Sequence, residues 1–321
     1  MSALTRDPEY TDPFSTPGRW FRGNTHTHSA VSDGRLSIAE RFAAYREAGY
    51  DFLALTDHRC VSDVSPFSDR DFLAISGSEL HPRNPFGGEL YHLVALDVRE
   101  TIESRGRDAN DVIADVRAQG GHVIIAHPYW CGHSVVDLMP LEGCFAVEVY
   151  NDTCARIGKA NSEPHWDDLL DRGRPLLGIA CDDAHYPDID CFHGWVMVKA
   201  PDLTRESVLG ALLTGSYYST MGPAIHDVQI VDAEGSASGG EALPARKVVV
   251  CSSPARAIAC KAQRSLGRRH LAPEGQLLEE AEFPLSGAEK YVRVEIEDER
   301  GRKAWSNPIF FGDRWSAISP R

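Results

Sequence analysis

His26 and His28 are separated by one residue and follow the short segment WFRGN. Residues two apart in an extended segment point to the same side, so both imidazoles can bind one ion. Asp183 and His185 repeat this spacing at the end of the apolar run LLGIACDD. Either pair alone also fits polar side chains exposed at a strand end. Imidazole and carboxylate together are typical ligands of zinc, manganese and iron.

Further acidic and histidine residues end other apolar runs. His58 ends FLALTDH, Glu79 comes near the end of AISGSEL, and His127 closes VIIAHP. His92 lies within LYHLVALDV, where a buried imidazole needs a partner such as a metal ion. Catalytic groups of α/β barrels collect at the carboxyl ends of strands. The five strand ends together predict a multinuclear metal site.

Some positions have rivals. His81 competes with His92, although its place before a proline predicts an exposed loop residue. Asp182 is the alternative to Asp183. Asp57 either orients an imidazole as a partner behind the ligands or caps a helix that follows the strand.

The elements that must position these residues fall into two regions. Residues 20–223 alternate strand-like runs with helical patterns at 37–49, 110–119, 165–172 and 204–214, which predicts a mostly parallel sheet, open or closed into a barrel. Residues 224–321 contain strand patterns without long helices and predict a small antiparallel β-sandwich-like domain. Residues 1–19 form a lead segment. Of the 13 histidines only His270 lies beyond residue 227, so the chemistry is predicted for the first region.

Composition excludes several classes of protein. The 321 residues carry a net charge of -14, which disfavours nucleic acid as a partner. The chain has no apolar run long enough to span a membrane, and its first residues lack the apolar core of a secretory signal, so we expect a cytoplasmic protein. The eight cysteines form no CxxC pair, which favours reduced, mostly buried thiols over a thiolate zinc site.

The ordered motifs THTHSAVSDG, TDH, SGSE, HLVAL, AHP and DDAH resemble the polymerase-and-histidinol-phosphatase (PHP) superfamily over residues 20–223. This resemblance implies a distorted (β/α)7 barrel of the PHP type that holds two or three divalent ions and hydrolyses phosphate esters. The segment GRKAWSNPIF, following YVRVEIED, resembles the C-terminal extension of the carbaryl-hydrolase-like branch.

The resemblance also implies a ligand set for each ion. His26, His28, Glu79 and Asp183 would surround the first ion. Glu79 would bridge to a second ion bound by His92 and His127. A third ion would be bound by Asp33, His58 and His185, with Asp33 in an SDG motif where some relatives have histidine. The implied cofactors are two or three manganese, zinc or iron ions.

The predicted function is hydrolysis of a small-molecule phosphate mono- or diester. Two close cations lower the pKa of a shared water, and the resulting hydroxide attacks phosphorus. Asp183 is the candidate catalytic proton acceptor, and His193 is a candidate acid for the leaving group. Arg83 and Arg156 are candidates to bind a substrate anion, with solvated surface arginines as the alternative. Asn151 is expected at the barrel rim in contact with substrate.

Three other functions stay open. The same ligands suit a carbamate, ester or amide hydrolase, as the C-terminal resemblance suggests, and a metal-binding module without catalysis is possible. A cysteine hydrolase would need Cys131 with His133, or Cys191 with His193, in contact. The predicted partner is a small anionic substrate, and a homo-oligomer is left open.

Overall fold

The structure is a computed structural model that describes residues 10–232 and 246–311. Three segments lie outside the described residues: 1–9 in the predicted lead segment, and 233–245 and 312–321 in the predicted C-terminal domain. The first region contains nine strands: β1 (Arg19–Asn24), β2 (Phe52–Leu55), β3 (Leu73–Leu80), β4 (Leu93–Leu96), β5 (His122–Ile125), β6 (Cys144–Asn151), β7 (Leu177–Cys181), β8 (Trp195–Ala200) and β9 (Tyr217–Thr220).

These strands form a mixed sheet that is rich in parallel strands, because all of them except β4 and β8 run in the same direction. The pairs β1–β2, β2–β3, β5–β6 and β6–β7 are parallel, whereas β4, β8 and β9 pair antiparallel with their neighbours. The order of hydrogen-bonded strands ends at β7. The edge of β9 that does not pair with β8 pairs with a strand of the C-terminal region. Only the Ser219 side chain of β9 reaches the backbone of β7, at Gly178 and Ala180. Closure into a (β/α)7 barrel therefore stays a prediction.

Six α-helices and two 3-10 helices accompany the sheet: α1 (Ile38–Glu47), α2 (Ala109–Ala118), α3 (Pro128–Cys131), α4 (Val135–Leu138), α5 (Glu163–Asp171), α6 (Arg205–Thr214), and 3-10 turns at Ser65–Phe67 and Thr153–Ile157 within the described ranges. The four predicted helices are confirmed as α1, α2, α5 and α6. Ser37 and Glu40 form the expected capping box. Trp166 of α5 packs against Gly178, where an added Cβ would lie 2.6 Å from the indole, so only glycine fits there. No described helix is long and apolar enough to cross a membrane.

The second region consists of strands in two layers. Its strands are β10 (Ile225–Asp232), β11 (Arg246–Ala255), β12 (Ala257–Ala262), β13 (Gly267–Leu271), β14 (Leu278–Pro284), β15 (Tyr291–Glu297), β16 (Lys303–Ser306) and β17 (Ile309–Phe310). Strands β10, β11 and β14 form a separate sheet that shares an apolar core with β12 and β15. The other layer continues the first sheet, because β16 pairs with β9. The predicted boundary at 223 is therefore not a break in backbone hydrogen bonding.

A set of charged residues joins α5 to this second layer. We call Glu163, Asp167, Lys261, Arg293, Glu295 and Lys303 the junction network. Arg293 is fully buried and donates two hydrogen bonds to Asp167, at 2.7 and 2.8 Å. Lys303 lies 2.7 Å from Glu163 and 3.0 Å from Glu295. Three acids and three bases thus neutralise one another between the two regions.

Candidate metal centre

Strand direction brings the predicted ligands to one end of the sheet. The parallel strands β1, β2, β3, β5, β6 and β7 have their carboxyl ends there, so residues that end these strands meet. His92 arrives differently, because it precedes β4, which runs antiparallel to β3. The structure brings together all nine predicted ligands: His26, His28, Asp33, His58, Glu79, His92, His127, Asp183 and His185. Their assignment to particular ions stays a prediction.

The innermost group contains His26, His28, Glu79 and Asp183, all buried. The Nε2 atoms of His26 and His28 lie 3.2 and 2.9 Å from Asp183 Oδ1, and both lie 3.5 Å from Glu79 Oε2. Ligands about 2.0–2.2 Å from one ion stand roughly 3–3.5 Å apart. These four atoms therefore have the mutual spacing of ligands around a single cation.

His26 and His28 are not part of a strand, although their one-residue spacing fits an extended strand. Strand β1 ends at Asn24, and beyond it only Thr27 forms a bridge, with Ala184. Backbone hydrogen bonds His28 N to Ala184 O and Asp183 N to His26 O hold the two segments side by side. The one-residue spacing still places both imidazoles on one side.

Glu79 is the centre of the whole group. Its Oε1 lies 2.7 Å from His92 Nδ1 and 3.2 Å from His127 Nε2. Its Oε2 lies 2.8 Å from His58 Nδ1, besides the contacts with the inner pair. One carboxylate thus faces histidines from several loops, as a bridging ligand would.

The outer group is the more exposed one. Asp33 Oδ2 lies 3.2 Å from His58 Nε2 and 3.4 Å from His185 Nε2. The Asp33 side chain is 51% exposed, so it lies at the opening of the centre. Gly34 allows the SDG turn to fold back, because a Cβ there would lie 2.5 Å from the carbonyl oxygen of His28.

Glu148 also belongs to the centre, although it is not among the residues that the sequence predicts for it. Its Oε1 lies 2.7 Å from His26 Nδ1, and its Oε2 accepts the backbone N–H of His127 at 2.9 Å. The carboxylate thereby orients an imidazole whose other nitrogen faces the inner group. A glutamate inside the apolar run FAVEVYN was the available signal, because a buried acid requires partners.

Asn151 lies behind the ligands rather than at a rim. It is buried, and its amide donates to Glu148 Oε2 at 2.9 Å and to Asp183 Oδ2 at 3.1 Å. The predicted position at the barrel rim is wrong, because the side chain is buried, and contact with substrate stays a prediction. In this structure Asn151 positions Asp183.

Two candidate ligands have unusual backbones. His127 and Asp183 have φ angles of 25° and 55°, in the left-handed region that non-glycine residues seldom adopt. The hydrogen bonds from His127 N to Glu148 and from Asp183 N to His26 O hold these conformations. Such conformations cluster at functional sites, where the surrounding structure compensates their cost.

The histidines and carboxylates of the centre shift one another's pKa values. Burial opposes protonation of His26, but Asp183, Glu148 and Glu79 raise its pKa well above the ordinary value. Burial likewise opposes ionisation of Asp183, yet the surrounding histidines hold its pKa below the usual range. Among the described residues no lysine or arginine pairs with Asp33, Glu79, Glu148 or Asp183.

Two buried atoms test whether this donor set fits metal ions. Asp183 Oδ1 and His58 Nδ1 have no hydrogen-bond partner of suitable geometry, although both point into the centre. Buried polar atoms are otherwise nearly always satisfied. Mixed imidazole and carboxylate donors with unsatisfied lone pairs fit divalent ions.

Two neighbouring expectations are wrong. His81 is buried rather than exposed: it lies 3.8 Å from Glu79 and packs between His58 and His92. Burial lowers its pKa to about 3, so it carries a neutral imidazole beside the ligands. Asp57 neither orients an imidazole nor caps a helix, because its carboxylate accepts hydrogen bonds from Ser29 and Ser32 of the Asp33 loop.

Asp182 and His193 face away from the ligands. Asp182 accepts hydrogen bonds from Tyr45 and from the backbone of residues 192–194. His193 is 56% exposed and bonds Asp152, whose other oxygen accepts from Tyr150. Tyr150 stacks on Trp305 of the second region. The role of His193 as an acid for the leaving group stays a prediction.

The two arginines differ in their surroundings. Arg83 is exposed and forms no ion pair with a described residue, and its backbone N–H bonds to Arg107. Arg156 is also exposed, but its guanidinium lies 5.1 Å from the ring of Tyr186, next to His185. Substrate binding by either residue stays a prediction.

The structure does not form the pairs that a cysteine hydrolase requires. Cys131 Sγ lies 3.5 Å from His127 Nδ1 rather than beside His133, and burial raises the pKa of its thiol. Cys191 contacts Arg41 and Tyr186 instead of His193, and burial raises its pKa to about 11. All eight cysteines are described and free. A low-pKa nucleophilic thiolate is absent from this part of the chain.

Comparison with solved structures reveals a shared fold. A two-domain protein from Bacteroides vulgatus ATCC 8482, containing a predicted PHP-like metal-dependent phosphoesterase, is 18% identical with a TM-score of 0.53, covering 92% of this chain and 96% of that one. No protein-family model and no curated protein matches the chain. The resemblance to PHP proteins is therefore confirmed at the level of fold, whereas the carbaryl-hydrolase-like branch stays a prediction.

Two further solved structures are less similar to the chain. A putative metal-dependent phosphoesterase from Bifidobacterium adolescentis ATCC 15703 is 15% identical with a TM-score of 0.40, covering 51% of this chain and 87% of that one. An amidohydrolase from Chromobacterium violaceum with bound sulfate and no metal is 15% identical with a TM-score of 0.42, covering 61% and 96%.

Proposed function

We propose that the protein is a metal-dependent hydrolase that cleaves phosphate mono- or diesters of small molecules. The observation that carries this proposal is the group of carboxylates around Glu79: it lies among histidines, and no lysine or arginine of the described residues pairs with it. Buried carboxylates need a counter-charge, and divalent cations supply it. The Bacteroides vulgatus neighbour contains a predicted enzyme of this class, and the proposal extends that class to this chain.

Bound divalent ions supply a water of lowered pKa and the positive charge that a phosphate ester needs at its oxygens. The residues of the chain hold and orient these components. His26 and His28 present Nε2 to the inner position, with His26 held from behind by Glu148. Asp183 Oδ1 faces the same position while Asn151 holds Oδ2, so Asp183 is placed to accept a proton.

The wall beside His92 and His127 suggests which substrates to test. The Trp130 ring lies 5.6 Å from His92 and 5.3 Å from His127, and it is partly exposed. An exposed indole can stack on a flat leaving group. Aryl esters are therefore suitable probes for both phosphate and carbamate chemistry.

The test is a substrate panel on protein stripped of metal and reloaded with manganese, zinc or iron. We expect hydrolysis of phenyl phosphate or bis(phenyl) phosphate that depends on the added ion. Release of naphthol from a naphthyl carbamate without any phosphatase activity would replace the proposal with the carbamate, ester or amide hydrolase. A fully metallated protein that is inert to the whole panel would support a metal-binding module without catalysis.

A further inference from the structure

Two arginines meet at one tyrosine beside the outer ligands. The guanidinium carbons of Arg35 and Arg156 lie 5.3 and 5.1 Å from the ring centre of Tyr186. Such distances allow a cation–π contact with the ring. We call Arg35, Arg156 and Tyr186 the arginine pair site. Its members come from loops that follow β1, β6 and β7.

Neither arginine has an acidic partner among the residues that the structure describes. Other exposed arginines do, for example Arg46 with Asp69 and Arg172 with Asp168. The chain carries a net charge of -14, so acidic residues are abundant. Two guanidinium groups that contact the same ring and have no acidic partner among the described residues are available for an anion from solution, and guanidinium binds carboxylate or phosphate through paired hydrogen bonds.

The arginine pair site is fixed next to the metal centre. Arg35 N donates to the carbonyl of His185 at 2.8 Å, and the rings of His185 and Tyr186 lie 6.4 Å apart. Asp190 accepts the backbone N–H groups of His185 and Tyr186, and it also accepts the hydroxyl of Thr153. This residue therefore ties the Tyr186 loop to the turn that carries Arg156.

The site also lies at the open side of the centre. Asp33, two residues before Arg35, is the most exposed of the predicted ligands, and it contacts His185. An ester whose reacting group is at the ligands would extend outward past Tyr186. A second charged group on that ester would then meet the arginines.

We propose that Arg35 and Arg156 bind a second anionic group of the substrate, separate from the phosphate that reacts. The substrate class is then a small phosphate ester that also carries a carboxylate or a second phosphate. This inference rests on the proposed phosphatase function. Tyr186 acts as a positioning residue that contacts both guanidinium groups.

The experiment compares matched substrates on the metal-loaded protein. Phenyl phosphate, 4-carboxyphenyl phosphate and phenylene 1,4-bisphosphate share a leaving-group ring and differ in the second anion. We expect kcat/KM to be roughly 10- to 100-fold higher with a second anion, the range for charge-assisted hydrogen bonds. The better of the two anionic substrates identifies the group that the site prefers.

The variants are Arg35→Ala, Arg156→Ala and the double variant, with Arg268→Ala as the control. Arg268 is exposed on β13, and its loss changes the net charge equally. We expect each single variant to lower the preference for the doubly anionic substrate and the double variant to bring the ratio close to one. Arg268→Ala keeps the preference of the unaltered protein.

The outcomes separate this inference from the proposed function. Phosphatase activity with equal rates on all three substrates, or a preference that survives in the double variant, overturns the arginine pair site alone. Absence of hydrolysis of every phosphate ester overturns the proposed function instead. In that case calorimetric titration with phenyl phosphate and 4-carboxyphenyl phosphate still measures the site, and equal affinities would refute it.

Discussion

The metal centre and the junction network both bury several charges, but they neutralise them in opposite ways. In the junction network, Glu163, Asp167 and Glu295 face Lys261, Arg293 and Lys303. In the metal centre, the basic side chains that pair with the carboxylates within the described residues are all histidines. The first arrangement is complete within the chain. The second requires cations from solution.

This difference explains which side of the molecule can do chemistry. The ion pairs of the junction network join α5 to β12, β15 and β16. In the metal centre, by contrast, the buried carboxylates have no lysine or arginine partner among the described residues, so negative charge is concentrated at one point. The count of nearby lysines and arginines therefore distinguishes a structural charge cluster from a metal site.

The largest effect is expected from Asp183→Asn. The amide keeps the shape of the side chain but removes a negative charge from the inner group. We expect loss of bound metal and a fall in turnover of roughly 1,000-fold or more. Metal analysis and aryl phosphate hydrolysis check this, with the exposed Asp188→Asn as control. Wild-type metal content in Asp183→Asn would contradict the inner ligand set.

The next largest effect is expected from Arg293→Met, which removes one of the three bases of the junction network. Asp167 loses both of its hydrogen bonds from this buried guanidinium. We expect the free energy of unfolding to fall by about 3–5 kcal/mol, the usual cost of removing one partner of a buried pair. Denaturant unfolding measures it, and Arg268→Met is the exposed control. We expect the metal stoichiometry of Arg293→Met to be unaffected. An unchanged free energy of unfolding would show that the junction network contributes little to stability.

Acid should weaken the junction network through Glu295. Burial opposes ionisation of this carboxyl, but Arg293, Lys261 and Lys303 lower its pKa from 4.5 to about 2. A lowered pKa means stabilisation that is present above the unfolded pKa and is lost as pH falls toward the folded one. We expect a loss of about 2 kcal/mol between pH 5 and pH 3 relative to Glu295→Gln. Urea unfolding of both proteins at each pH tests this, and equal pH profiles would refute it.

The smallest effect is expected from Glu148→Gln, which alters the support behind the metal centre. Glutamine has one acceptor oxygen, so it cannot serve both His26 Nδ1 and the backbone N–H of His127. We expect metal affinity to weaken by about 10- to 100-fold. Competition with a chelator measures it, and the exposed Glu142→Gln serves as control. Equal affinities in both variants would remove Glu148 from the centre.

The predicted ligands could be found from the sequence because parallel strands bring their carboxyl ends together. His26, His58, His127 and Asp183 each follow such a strand, and Glu79 lies at the end of β3. Helices were equally accessible, since their caps and periodicity are local. The capping box of α1 is an example.

Other features depend on contacts between distant segments. A register shift between Glu148 and Tyr150 decides which side chains of β6 face the ligands, and alternation alone does not reveal it. Asn151 was misplaced for the same reason. Arg35 and Tyr186 meet only because loops after β1 and β7 meet, and the β9–β16 pairing joins residues far apart in sequence.

The pairing of β9 with β16 limits how this protein can be divided. A protein truncated after Pro223 would leave residues 218–220 with an open row of backbone donors and acceptors. Exposed strand edges recruit other chains, so such a fragment is prone to aggregate. The C-terminal strands thus behave as part of the first sheet, and a recombined or shortened form of the protein must keep them or supply a substitute strand.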